Sequence, residues 1–396
     1  MYLLAAALFI LPLAGPVIFE PIVAISDLWT AKEFLAIMAV FAIVSRGKFF
    51  YKHNPFLTAF LLFLPISAFA APPFALIYGH ENMAGLWIWR SMAWCFAYYL
   101  LYCALPPVAM QRHKDVIAWA IKWAAVISAG YAYIQAAGLD QWQITRAYDE
   151  IGQPAAPQIT ALIGNPTYLA VWLVICLPFL RGWWILFVVG AVVLCKSDIA
   201  MAGVVLEAII WGCLRARSTI WLKAVSVAFL TTIVALWGFW AEIRPKLHDN
   251  GRFAIWAQTF EDWKSPCIKL PITDDMSTAQ KAETEKLNKR TYTLTGRGLG
   301  SFPFIFSPKY GTKYDSAHNE YLEGLYSIGL IGMGLFLAAI GYVLRWSFLV
   351  AREDTFYMRV YTSFLFICFA SAGLPILHLE PLRFYSAIMF ILLSRR

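Results

Sequence analysis

The sequence predicts an all-α, polytopic membrane protein of about twelve transmembrane helices, with one large extracytoplasmic loop between the ninth and the tenth. Three observations predict it. Of the 396 residues, 60% are apolar and only 14% are charged, whereas soluble domains carry roughly 25% charged residues; the mean hydropathy is +0.62. The apolar residues fall in successive runs of roughly 16–25, enough to cross a hydrocarbon core of about 30 Å at about 1.5 Å per helical residue. Lys and Arg gather at alternate junctions between the runs, as expected where one side of a membrane retains the positive charge.

Taken in order, the spans are expected near 2–19, 28–45, 55–78, 85–107, 115–137, 165–180, 183–196, 199–214, 219–242, 318–344, 357–376 and 382–394. No charged stretch precedes the first run and no small-residue cleavage site follows it, so it is expected to be a retained span rather than a signal peptide. With both termini in the cytoplasm, the internal junctions carry Arg46, Lys48 and Lys52, then Arg112 and Lys114, Arg181, Arg215, Arg217 and Lys223, Arg345 and Arg352, and finally Arg395 and Arg396. The opposite short junctions hold Glu20 and Asp27, Glu81, then Asp140, Asp149 and Glu150 beside a single Arg146, and Glu380 beside Arg383. The short runs 183–196 and 199–214 are expected to meet at one tight turn.

The chain divides accordingly into 1–242 with nine spans, an external loop subdomain at 243–317, and 318–396 with three spans. Long translocated loops escape the positive-inside rule, so the excess of basic over acidic residues in 243–317 needs another reason. A basic external surface beside a membrane suits an anionic substrate. The run 273–291, of mixed charge, is expected to be a solvated helix or mobile stretch. The formal net charge of +8 reports membrane orientation, and no nucleic-acid partner is expected.

Seven cysteines are an odd number, and Cys95, Cys103, Cys176, Cys195, Cys213 and Cys368 lie within or at the ends of apolar runs, so no disulfide framework is expected. No Cys/His cluster and no Asp-x-Asp appears, and neither a P-loop nor a Gly-x-Ser-x-Gly elbow is present. The expectation is therefore no metal, no cofactor, no ATP hydrolysis and no serine nucleophile.

Chemistry-bearing residues gather at the external rim. In 314–332, YDSAHNEYLEGLYSIGLIG, the spacing of His318, Leu322, Leu325 and Gly329 predicts that His318 stands in the first outer turn of the tenth span. An imidazole there can act as a general base near neutral pH, or simply reach the headgroups while Asp315, Ser316 or Asn319 caps the helix. Glu320 and Glu323 could orient it, and first-turn carboxylates also complement the helix dipole. Arg252 begins an amphipathic stretch with Phe253, Ile255, Trp256, Thr259 and Phe260; its guanidinium can grip phosphate oxygens or lipid headgroups. Arg297 lies among Gly296, Gly298 and Gly300, a stretch read either as a phosphate cradle or, more plainly, as glycine turns at the interface. Lys196, Ser197 and Asp198 occupy the turn after the seventh span. Arg90 sits among Trp87, Trp89 and Trp94, as a functional intramembrane charge or as a cation–π anchor.

Three of these stretches carry a resemblance. NGRFAIW at 250–256, GRGLGSF at 296–302 and AHNEYLEGLYSIGLIG at 317–332 resemble motifs of the bacterial O-antigen ligases and their relatives, the O-antigen polymerases and protein O-oligosaccharyltransferases; GNPTYLA at 164–170 is similar to a weaker pattern of the same family. The resemblance implies a metal-independent glycosyltransferase of the bacterial inner membrane, which on its periplasmic face moves a glycan from undecaprenyl pyrophosphate to lipid A-core or to another glycan or protein acceptor. It implies His318 as the base and Arg252 as a pyrophosphate ligand, with Lys196, Arg297, Arg90 and Asn319 as further substrate-binding candidates. The family's second arginine, in a Ser-Arg pair after span seven, is missing: CKSDIAMAG stands there, with Asp198 at that position and Lys196 as the available substitute. A multi-span transporter or flippase is the alternative of another class. The absence of an internal repeat between the halves weighs against it.

Overall fold

The computed structural model describes residues 1–13, 28–46, 54–70, 83–105, 107–140, 159–161, 163, 165–215, 252–264, 272, 274, 276–289, 291–298, 302, 317–374 and 382–394. Every regular element of any length among them is a helix. In chain order these are α1 (Tyr2–Leu13), α2 (Leu28–Arg46), α3 (Pro55–Ala70), α4 (Met83–Ala104), α5 (Pro107–Arg112), α6 (Lys114–Ala136), α7 (Pro166–Cys176), α8 (Trp183–Leu194), α9 (Asp198–Arg215), α10 (Arg252–Lys264), α11 (Thr278–Lys289), α12 (Glu320–Glu353), α13 (Thr355–Ala370) and α14 (Leu382–Ser394). The expected ninth span, 219–242, lies outside the described residues.

Two helices, α6 and α12, are long and apolar enough to cross a membrane, and most of the others carry shorter apolar stretches. Outward faces present Phe41, Leu62, Leu186, Val205 and Leu349, large apolar side chains that a water-facing surface keeps to small patches. These features mark a helical membrane bundle.

Helix α7 is the centre of the bundle. Residues 169–176 are all fully buried, which is what a helix apolar on every side requires. It packs on α6, α8, α9 and α13, while α1 lies along α6, and α12 lies along α3 and α13. Its start is set locally: the Asn165 side chain accepts from the amides of Thr167 and Tyr168, and Pro166 follows at the first helical position. The same Asn-Pro pair opens α3, where Asn54 accepts from the Leu57 amide. Each such cap is worth about 1 kcal/mol. Pro178 turns the end of α7 into one short 3₁₀ turn, Leu177–Phe179, so the expected run to residue 180 is not one α-helix. The 183–214 pair is two helices, α8 and α9, joined by Cys195, Lys196 and Ser197.

Helix α12 is broken. At Gly329 the backbone turns to φ 67°, ψ −174°, so the amides just beyond it lose their intrahelical carbonyls. The segment 292–298 replaces them: Leu330 and Ile331 donate to the carbonyls of Thr293 and Leu294 at 3.0 and 3.1 Å. On the other side of the break, the Ser327 carbonyl accepts from the Gly298 amide at 2.7 Å and from Ser67 Oγ at 3.3 Å. The loop between the ninth and tenth expected spans is therefore threaded into the bundle through its glycines. Beyond the break α12 continues to Glu353, further than the predicted end near 344.

Candidate functional site

The site begins with the start of α12. Asn319 adopts extended backbone and its side chain accepts from the amides of Tyr321 and Leu322, both at 3.1 Å. Because Asn319 takes the cap, the helix starts at Glu320 and His318 lies before it. This corrects the expected place of His318 in the first helical turn. The histidine is half-buried and sits in the left-handed region at φ 51°, a conformation that costs a residue with a side chain about 1–2 kcal/mol. Asn319, a candidate substrate ligand, is nearly buried and its side-chain oxygen is committed to the cap.

The turn around His318 is clamped from several sides. The indole of Trp256, on α10, donates to the Ala317 carbonyl at 2.9 Å, and the Ala317 amide donates to the buried carboxylate of Glu323 at 3.0 Å. The Glu320 amide donates to the Ser371 carbonyl at the end of α13, 2.8 Å away, and Tyr321 Oη donates to the Cys368 carbonyl at 2.6 Å. A strained residue persists only where its surroundings over-determine it, and these bonds do so.

A second cluster joins α10 to the broken helix. Helix α10 buries a stripe of Ile255, Thr259 and Asp262, spaced as one helix face. Tyr326 of α12 donates its hydroxyl to the Asp262 carboxylate at 3.0 Å. Arg297 donates from Nη2 to the Asp262 carbonyl at 2.9 Å and lies over the Tyr326 ring at 4.2 Å. Its guanidinium is 0% exposed, and Nε and Nη1 meet no protein acceptor. A buried cation with two unused donors is costly, and those donors remain available to an anion that opens this corner.

Of the glycines around Arg297, Gly296 and Gly298 have φ of 75° and 99° and are buried; Gly300 lies outside the described residues. A Cβ on Gly296 would stand 2.3 Å from the Ser327 carbonyl oxygen. These glycines serve backbone-to-backbone packing against the break in α12.

The remaining candidates are placed as follows. Arg252 is the first residue of α10, one turn before Trp256, and Arg90 lies within α4; the side chains of both are outside what the structure describes. Lys196 is exposed in the turn between α8 and α9, at φ 53°. Beside it Ser197 is buried, with no partner for its hydroxyl, and Asp198 is exposed as the first residue of α9. Ile199 abuts Gly373, two residues after the carbonyl that holds Glu320, so the Lys196 turn and His318 share one end of the bundle. Sequence reasoning did not single out Asp262 or Tyr326. A carboxylate in register with Ile255 and Thr259 on an amphipathic helix was the available signal.

Among the described residues no three of His, Cys, Asp and Glu gather to form a metal-binding group. No protein-family model matches the chain, and no curated protein matches it either.

Proposed function

We propose that the chain is a metal-independent glycan transferase of the O-antigen ligase type, a twelve-span protein of the bacterial inner membrane with the 243–317 loop and His318 on the periplasmic side. One observation carries this reading: the three stretches that share the resemblance, far apart in sequence, meet in space. Trp256 of the first is bonded to Ala317 of the third, and Gly298 of the second is bonded to Ser327 of the third. Independent roles as lipid anchors would give no reason for this convergence.

The chemistry follows from the membrane boundary. A polyprenyl-pyrophosphate donor presents its anomeric carbon at the headgroup level. The acceptor hydroxyl loses its proton to His318 as its oxygen bonds to that carbon, and the bond from carbon to pyrophosphate breaks. The pyrophosphate departs on its polyprenyl carrier with growing charge, which fixed cations stabilise. Arg252 and Lys196 serve that role, Arg297 through its two unused donors, and Arg90 and Asn319 complete the proposed substrate contacts. General-base catalysis contributes roughly 10²–10⁴-fold. The acceptor is lipid A-core for a ligase, with a polymerase or a protein O-oligosaccharyltransferase second.

The break in α12 favours one reading of another class, since discontinuous helices mark secondary transporters. Here, however, the broken ends are bonded by the loop backbone rather than left open to a cavity. Purified chain in proteoliposomes, supplied with an undecaprenyl-pyrophosphate-linked glycan and a lipid acceptor, separates the two. Transfer of the glycan to the acceptor, lost in His318→Ala and indifferent to EDTA, is the expected result. Movement of the intact donor across the bilayer without transfer would replace this reading with a flippase.

A further inference from the structure

At the end of the bundle opposite His318, a cavity of about 710 Å³ opens between the starts of α8 and α13 and the ends of α9 and α12. Its lining includes exposed Arg181 and Glu353, half-buried Arg352, and buried Arg359 and Glu207. Arg359 is 8% exposed and its Nε meets no protein acceptor; Glu207 is 4% exposed and neither carboxylate oxygen has a protein partner. Buried polar groups without partners are uncommon and costly. Two of opposite sign in one cavity define what would satisfy them.

Their depths differ. Arg359 is four residues into α13, about 6 Å from its start, whereas Glu207 is eight residues from the end of α9, about 12 Å in. Along its own helix, Arg359 thus stands nearer the end that borders the cavity than Glu207 does. Arg181 and Arg359 are like charges lining the same cavity. An anion between the two arginines removes that repulsion. A cationic hydrogen-bond donor pairs Glu207, and one small group carrying both charges on a short linker serves the two side chains together.

We infer that this cavity binds an aminoethyl phosphate group, the phosphate on Arg181 and Arg359 and the ammonium on Glu207. Ile185, exposed near the start of α8, lines the cavity. The group belongs either to an aminophospholipid or to a soluble phosphate ester of the same chemistry. The inference uses the membrane reading of the chain and is independent of the transferase reading, whose residues lie at the other end.

The test uses the full chain in detergent, washed free of lipid, with thermal unfolding read against added phosphatidylethanolamine, phosphatidylcholine or glycerophosphoethanolamine. Phosphatidylethanolamine should raise Tm saturably, because a ligand that binds only the folded state stabilises it. Phosphatidylcholine, which has the same phosphate but no N–H donor, should need about tenfold more. A shift from glycerophosphoethanolamine equal to that from the lipid identifies a soluble ester as the ligand, and a shift from the lipid alone identifies the lipid. Arg181→Gln, at an exposed position where folding is not at risk, should weaken half-saturation about tenfold, and Glu207→Gln should remove the preference over phosphatidylcholine. No shift, equal response to the two lipids, or wild-type saturation in Arg181→Gln overturns the site. Transfer activity of Arg181→Gln should match wild type, so its loss would not be confused with failure of the transferase reading.

Discussion

Gly296 and Gly329 pack backbone against backbone: a Cβ on Gly296 would lie 2.5 Å from the Gly329 nitrogen, and one on Gly329 would lie 2.4 Å from the Gly296 nitrogen. Both residues have positive φ, 75° and 67°. This contact joins the 292–298 segment to the break in α12 and so fixes that segment against the helix that follows His318.

Gly296→Ala and Gly329→Ala should each destabilise by about 3 kcal/mol or more, since backbone strain and a backbone clash act together. Gly334→Ala, on the same helix with open space around its Cα, should be neutral or raise stability by about 0.4–1 kcal/mol. Thermal unfolding of the three variants in detergent checks this. Equal behaviour of all three would mean that the loop does not seat in the break.

His318→Gly separates backbone from chemistry. Glycine adopts φ 51° without strain, so Tm should stay level or rise slightly while transfer falls roughly 10²–10⁴-fold. A variant keeping more than about a tenth of wild-type turnover would remove His318 as the base.

Trp256→Phe keeps the ring but removes the donor to the Ala317 carbonyl. The cost in stability should be about 1 kcal/mol. The larger effect should appear in turnover, because the turn that aims His318 loosens. A fall in extractable folded protein with unchanged turnover per folded molecule would assign the indole to stability alone.

Asp354 caps α13 and bonds Lys114 at 3.3 Å. Burial alone would raise its pKa, but the Phe356 amide and the Lys114 ammonium outweigh it and hold the carboxyl below its ordinary value. A carboxylate shifted down stabilises the fold above the unfolded pKa, near 3.9, and loses that contribution as pH falls through the lower native value. Wild-type Tm should therefore drop more steeply below about pH 4 than that of Asp354→Asn, with the gap between them constant from about pH 5 to 8. A gap that changes across the neutral range would point to a different titrating group.

Thr278, exposed at the start of α11, tests the sidedness. A single cysteine there, in a chain lacking Cys267, should react with a membrane-impermeant maleimide on intact spheroplasts. Reaction only after permeabilisation would invert the orientation and move the proposed site to the cytoplasm.

Local chemistry made much of the bundle legible. Apolar runs and an amphipathic stretch containing Arg252 are readable because each depends on residues close in sequence, and the Asn-Pro pairs that cap and start α3 and α7 are further local signals that the sequence reading did not use. The sequence leaves His318 either in the first helical turn or beside a cap at Asp315, Ser316 or Asn319; Asn319 takes the cap, and the histidine stands in a left-handed turn before the helix. What the sequence by itself determined is therefore an all-helical, membrane-type bundle. Only the tertiary structure decided that Arg297 faces inward onto Tyr326, that Asp262 holds α10 to α12, and that the glycines at 296 and 298 fill the break at Gly329. The physical reason is that buried polar groups and broken backbone must find partners, and here those partners lie far away in the chain, as Asp262 does from Arg297, where no local pattern records them.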